Sequence, residues 1–481
     1  MGQSWSAPII LGKDQAPINT HNYEVLKRVA KNAGIPVEKF KHYTRRNDQF
    51  IIGPEGYLYW DRKKNGVIDG EDEAVFGAIA RLGNSYITDR LGNVVAISIR
   101  KSVFNDTNIL NSFSEIVAIY LYKNKIKKIN ISNLNELRLL SIRDNEIREI
   151  EKLSNLEKLV YFATYDLNTP NFKKFINLPS LREVDILGME IESFHGLENM
   201  PRLKILSVSS DTEGTGRNLS KIFGVSRGHE LESLKLSSTV ISNLQGIENF
   251  TNLKRLELWN NNRGLTDYSP LSKVKTLEEL ELTVLELKDF QFLKSMPKLK
   301  KVITHHAPVN SLSGVSEAPS LEHLEINNGK LTKIDHLDGN TELRTLILNT
   351  HQIKKIEGVS QLKKLRALGL SLNEIPKIEG LENNLCLERL WVAANPIKTF
   401  ENLYHLPILS EIGIDGTKIN EFPNYKDLKR LSRVSVDKSQ IKGDKVRTGY
   451  FYGNVPIKEF DMQLFEQPPI SDDERRQYGC I

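Results

Sequence analysis

From Val94 onward the apolar residues of the chain recur in one spacing, at the first, fourth, sixth and eleventh positions of a unit about 22 residues long. Units begin at Val94, Ile116, Leu137, Leu159, Leu181, Leu203, Leu231, Leu253, Leu277, Leu299, Leu321, Leu343, Leu365, Leu387, Leu409 and Leu431. The intervals are 22, 21, 22, 22, 22, 28, 22, 24 and then 22 seven times. A register held across about 350 residues excludes coincidence and is the signature of a repeat array. Within each unit the first, fourth and sixth apolar residues flank alternating positions, which predicts a short strand with its apolar side inward. The eleventh position (Ile126, Ile147, Ile191, Ile353, Ile375, Ile397) returns the chain to the interior beyond a turn.

Position nine lies on that turn. It is asparagine at Asn124, Asn145, Asn261, Asn373 and Asn395, where the amide is placed to bond the turning backbone. It is apolar at Leu167, Met189 and Leu285, which predicts a broken ladder and local irregularity in the middle of the array. One such coil cannot bury its own leucines, so neighbours must stack into a continuous core. In L-x-x-L-x-L-x-x-N-x-I, the units from Leu365 (LRALGLSLNEIPKIEGLENN) and Leu387 (LERLWVAANPIKTFENLYHL) resemble the leucine-rich repeat superfamily in its 22-residue class. That class includes the listerial internalins and the nuclear regulatory subunit of protein phosphatase 1. The resemblance implies an α/β leucine-rich repeat solenoid, a right-handed superhelix of about 16 coils with a parallel concave sheet. It covers about three-quarters of the chain and specifies shape rather than chemistry.

Residues 1–93 have another texture. Residues 22–33 (NYEVLKRVAKNA) read as an amphipathic helix closed by Gly34, and residues 37–45 as a second helix after Pro36. QFIIG, GYLYW and VID read as strands, and residues 73–82 (EAVFGAIARL) as another helix. The expected layout is a tail at 1–20 and a small α+β cap at 21–93. The solenoid follows at 94–452, then a terminal cap and tail at 453–481, with SDDERRQYGCI mobile.

Composition narrows the function classes. The chain has 481 residues, 39% hydrophobic and 26% charged, with a net charge of +5. The whole excess sits in residues 1–46, which hold eight basic residues against three acidic ones. So small a charge gives no ground for expecting nucleic acid. Cys386 and Cys480 are too few for a disulfide framework or a thiolate zinc module. Cys386 reads as a small buried filler and Cys480 as a free thiol. No apolar run is long enough to span a bilayer and no secretory signal opens the chain. The expectation is a cytoplasmic protein, peripheral to the membrane if Gly2 is acylated, or one exported by a route the sequence does not show.

Two motifs carry candidate chemistry. MGQSWS fits N-myristoylation at Gly2, and the basic residues between 13 and 46 could supply the second, electrostatic membrane signal; the alternative is a solvated tail. Residues 61–72 (DRKKNGVIDGED) echo a calcium loop with Asp61, Asn65, Asp69 and Asp72 as ligands. Lys63 on a ligand position and the short arm of Asp72 count against calcium, and a hairpin turning at Asn65-Gly66 is the competing reading. His305, His306, His323 and His351 read as ordinary surface histidines, because adjacent strand residues diverge. The glycines of EGTGRNLSKIFGVSRG, in the 28-residue unit, read as a mobile rim loop and form no phosphate-binding P-loop.

The fifth and seventh positions of each unit should line the concave face. They bring together Arg100, Tyr120, Tyr122, Arg143 and Tyr165 in one patch. Trp259 stands with Glu257, Glu281 and Glu325 in another, and Trp391 lies further along. Aromatic and guanidinium groups are the ones enriched at interaction hot spots. The expected role is non-enzymatic recognition of another protein on this face, with no cofactor. Family resemblance adds a regulatory subunit of a phosphatase or other signalling enzyme as an alternative. The N-terminal motifs add a myristoylated or calcium-responsive membrane adaptor.

Overall fold

The structure is a computed structural model. It describes residues 18–44, 50–52, 58–60, 73–74, 83–89, 91–165, 167, 169–189, 191–210, 218–219, 222–225, 229–259, 264–283, 286–399, 403–419, 430–435 and 470–480. Gly2, the loop at 61–72, and Asn261 and Leu285 of the ninth-position series lie outside these residues. So does most of the rim insertion, at 211–217, 220–221 and 226–228.

The chain is a parallel β-solenoid of leucine-rich repeat architecture. All sixteen expected units carry a strand at the expected place. Contacts divide it into two compact units, one formed by residues 1–242 with 249–253 and the other by residues 243–248 with 254–481.

In the first unit a helix, α1 (Thr20–Ala33), covers the start of the array. Asn19 caps it by accepting the Asn22 amide at 2.8 Å, and Gly34 ends it in the left-handed conformation that a side chain disfavours. Its apolar stripe, Val25, Leu26, Val29, Ala30 and Ala33, is buried. The second expected helix is not one. Only Val37–Lys39 makes a 3-10 turn, and Lys41–Thr44 is a strand, pairing in parallel with Ser85–Thr88. The run KHYT carries the β-branched and aromatic residues that favour extended chain, and Phe40 closes the short turn before it. Ser85–Thr88 then pairs antiparallel with Val94–Arg100, the first repeat strand. The cap thus closes the open sheet edge with paired backbone. Phe50–Ile52, Leu58–Trp60 and Glu73–Ala74 form a small antiparallel sheet, so the expected helix at 73–82 begins as strand.

From Val94 each strand pairs in parallel with the next at one unit's offset, Ile119 facing Ile97 and Leu140 facing Ile119, with no slip. The second unit repeats the pattern from Arg255–Trp259 to Arg433–Ser435. Inward leucines such as Leu121, Leu206, Leu324 and Leu390 are fully buried.

Two backbone positions recur. Position eight has positive φ at Lys101, Lys123, Asp144, His306, Asn328, Thr350, Leu372 and Ala394, with values of 51° to 61°. This one left-handed residue turns the chain out of the strand, at a strain cost of order 1 kcal/mol in each coil. Position sixteen is glycine in many coils: a Cβ on Gly314 would lie 2.2 Å from Phe290 O, and one on Gly358 2.2 Å from Ile334 O.

The turn is closed by the ninth-position ladder. Asn373 Nδ2 donates to Leu348 O at 2.8 Å and to Leu370 O at 3.0 Å, and Oδ1 accepts from Ile353 N at 3.0 Å. Asn395 does the same one coil on. In the first unit Asn124 Nδ2 donates to Ile99 O and Asn145 Nδ2 to Leu121 O, while their Oδ1 atoms accept from Ser102 N and Asn124 N, the position-nine amides of the coil before. Where position nine is Leu167 or Met189 the side chain is buried instead, and the neighbouring residues 166, 168 and 190 lie outside the described set.

At the far end of the second unit, two readings of the sequence are corrected. Cys386 and Cys480 are joined as a disulfide, with Cα atoms 5.5 Å apart across 94 residues of chain. The terminal segment is not a mobile tail: α2 (Asp472–Gln477) is a short helix with a Ser471–Glu474 capping box. It is pinned by Arg475 to Glu388 at 2.9 and 3.3 Å, and by Arg430 to Glu474 at 3.1 Å. Cys386, Ile408, Ile470 and Cys480 pack together beneath Tyr478. Neither cysteine's partner could be read from chain order, because the coil stacking brings them together.

The ladder sets the expected cost of its loss. Asn373→Ala strands the Ile353 amide and the Leu348 carbonyl, while Leu370 O keeps Asn395, and should cost about 3 kcal/mol in denaturant unfolding. Gly358→Ala, forced against Ile334 O, should cost at least about 2 kcal/mol. A loss near 0.5 kcal/mol in either variant would contradict these roles.

Candidate recognition face

In a strand, alternate residues share a face, so positions three, five and seven of each unit emerge on the concave side. The fifth and seventh columns lie as expected. The third adds residues that the sequence reading left out, among them Tyr161, Arg255, Arg389 and Glu411. Period-two alternation was the signal for them, since position three precedes the fourth-position leucine as five follows it.

The expected patch in the first unit is assembled. The Arg100 guanidinium lies 5.1 Å from the Tyr122 ring centre and 5.8 Å from that of Tyr120, and the two tyrosines stack at 6.2 Å. Arg143 sits 5.2 Å above the Tyr165 ring. Its guanidinium also donates to the Tyr161 hydroxyl at 2.6 Å and to Asp185 Oδ2 at 2.7 Å. Tyr120 and Tyr161 are themselves buried, joining Ala118, Leu139 and Ala163 in an apolar floor; Arg100, Tyr122, Arg143 and Tyr165 are half-buried upon it. Burial pushes the Tyr161 and Tyr120 phenols up, so both stay protonated donors at neutral pH.

The second unit carries the other residues. Trp259 is 36% exposed, whereas Glu257 is only 7% exposed and is engaged by Arg255 Nε at 2.6 Å. Arg255 also reaches Glu279 at 3.3 Å. Burial, with the Glu257 carboxylate beside it, pushes the Glu281 carboxyl up. Glu325 lies 3.4 Å from His323 Nε2 and 3.8 Å from His305 Nε2, and accepts from Asn327 Nδ2 at 2.7 Å. The His323 bond holds its carboxyl below the usual carboxylate range, with the His305 ring adding to the effect. Trp391 is half-buried, donating from Nε1 to Glu411 at 3.0 Å, and the Arg389 guanidinium stacks 5.5 Å from its ring. A Cβ on Gly413 would meet Trp391 Cδ1 at 3.0 Å, so the indole leans over this glycine.

Of the histidines read as surface residues, His306 is exposed and His305 and His323 are half-buried, but His351 is buried in the ladder. The reason is its position, nine, which points into the turn. Among the described residues no group of three or more His, Cys, Asp or Glu could hold a metal ion, and no helix is long and apolar enough to cross a membrane.

No protein-family model matches the chain, and no curated protein sequence matches it. Solved structures resemble its fold. The internalin InlF of Listeria monocytogenes has 16% identity over 77% of this chain and 84% of that one, with a TM-score of 0.42. The functional domain of InlJ from the same organism has 18% identity over 68% and 75%, with a TM-score of 0.46. A leucine-rich repeat protein of Leptospira interrogans has 19% identity over 72% and 90%, with a TM-score of 0.49. The likeness is one of coil architecture, and no residue role is carried across it.

The Arg143–Asp185 contact is half-exposed, so its coupling should be small but measurable. A double-mutant cycle with Arg143→Ala and Asp185→Ala should give about 0.5–1 kcal/mol in unfolding experiments. A value of zero would mean that the ion pair does not hold the guanidinium in place.

Proposed function

We propose that this chain is a non-catalytic recognition protein that binds another protein on its concave parallel sheet. The observation that carries this reading is the cluster around Arg143. Its guanidinium is fixed at once by a phenol, a carboxylate and an aromatic face, and it stands on a floor of buried tyrosine and alanine. Side chains held this way before a partner arrives lose little conformational freedom on binding. Aromatic and arginine anchors on a rigid base are the groups that carry most interface energy. Neither the Gly2 motif nor the residues of the 61–72 loop bear on this reading.

A second observation concerns the compartment. A disulfide joining groups 94 residues apart survives where the surroundings are oxidising. We infer that the protein works in such a compartment rather than in the cytoplasm.

Two experiments test these readings. Affinity capture with wild type and with Tyr122→Ala/Tyr165→Ala/Arg143→Ala should differ, the variant losing partners that wild type retains; an unchanged partner set would overturn the concave-face reading. Reduction, or Cys386→Ala, should lower the stability of the second unit by roughly 2–4 kcal/mol in denaturant titration. Protein isolated from its native source with free thiols at both positions would overturn the oxidising compartment.

A further inference from the structure

In one coil of the second unit an imidazole makes the bonds of an asparagine rung. Position nine of the coil beginning at Leu343 is His351, 6% exposed. Its imidazole takes over both bonds of an asparagine rung. Nε2 lies 2.9 Å from Ile326 O, 25 residues back, and Nδ1 accepts from Leu331 N at 3.2 Å, 20 residues back. Asn373 makes the same two bonds at the same two offsets, to Leu348 O and from Ile353 N. An imidazole is bulkier than a carboxamide, and the preceding coil makes room for it. Position nine there is Gly329, where a Cβ would come within 2.5 Å of His351 Cε1 and 2.9 Å of Nδ1. Gly329 and His351 are therefore one fitted pair.

The two kinds of rung differ in one chemical respect. A carboxamide takes up no proton across the physiological range, and an imidazole does. Ile326 O can only accept, so Nε2 carries the hydrogen; Leu331 N–H can only donate, so Nδ1 must present its lone pair. This rung works only as the neutral Nε2–H tautomer. A proton on Nδ1 would set one donor against another inside a buried turn. Burial lowers the titration of this ring and the Ile326 carbonyl raises it; no charged side chain is among the influences on it.

We propose that His351 makes the turn at residues 328–331 an acid-released joint: closed while the ring is neutral, and opened when it gains a proton. Because the ring titrates lower in the folded chain than the ordinary histidine value of 6.5, its contribution is complete above that pH. It is then lost as the pH falls through the ring's own, lower value. The turn follows directly on the strand His323–Asn327, which carries His323, Glu325 and Asn327. Acid would therefore loosen the loop edge of the concave face at that coil, whether or not a partner is bound there.

Hydrogen exchange of the full chain between pH 7.5 and pH 5, corrected for intrinsic rates, tests this at the Leu331 amide. In wild type its protection should fall roughly tenfold for each pH unit between the ordinary histidine titration and the buried one. His351→Asn should keep its protection across the range, and His305→Gln/His323→Gln, on the concave face, should lose it as wild type does. Three results would overturn the proposal: pH-independent protection in wild type, acid loss that persists in His351→Asn, or acid loss abolished by the concave double variant. Should His351→Asn fail to fold, the wild-type ring decides alone. Long-range proton–nitrogen NMR should show a neutral Nε2–H tautomer at pH 7, and an Nδ1–H tautomer would reject the proposal.

Discussion

Where position nine is Asn124, Asn145, Asn373, Asn395 or His351, its side chain satisfies backbone that the turn of the preceding coil leaves open. The rest of the architecture depends on this bond between neighbours. Ile99, Leu348 and Leu370 offer carbonyls to the next coil, and the side-chain amides of Asn124, Asn373 and Asn395 donate to them. Buried polar backbone left unbonded is costly, so the ladder both fixes the stacking offset and makes a coil dependent on the one after it. His351 shows that the requirement is for a donor and an acceptor at set places, not for asparagine as such.

Once the offset is fixed, the recurrent backbone features follow. The left-handed residue at position eight is tolerated as lysine, leucine or alanine because the turn around it is bonded on both sides. Leu372 is exposed for the same reason: position eight points away from the core, whatever residue occupies it. At position sixteen the constraint is spatial, since the preceding coil's carbonyl stands where a Cβ would be.

The concave face inherits this rigidity. Strands in unbroken register hold Arg143 between Tyr161 and Tyr165 of the next coil and Asp185 of the one after, and hold Trp391 over Gly413. The helix at Asp472–Gln477 clasps the coil edges of the second unit through a covalent bond and two ion pairs, so the last described coils do not depend on stacking from one side alone.

Periodicity by itself determined the solenoid, the place of all sixteen strands, the helix at Thr20–Ala33 and the columns that face the concave side. These depend on which way a residue points, and that is set by local spacing. Other features depended on what the neighbouring coil brings to the same point in space. Tyr120 and Glu257 sit in the expected columns, yet both are buried, Tyr120 against Ala118, Leu139 and Tyr161, and Glu257 bonded to Arg255 from two residues earlier on its own strand. Lys41–Thr44 is a strand rather than a helix because Ser85–Thr88, more than forty residues on, offers it a partner edge. Cys386 and Cys480 looked unrelated in chain order, and His351 looked like a surface residue beside other histidines. Only stacking placed one sulfur against another and set the imidazole between Ile326 and Leu331, because bonds between coils join residues that no local pattern pairs.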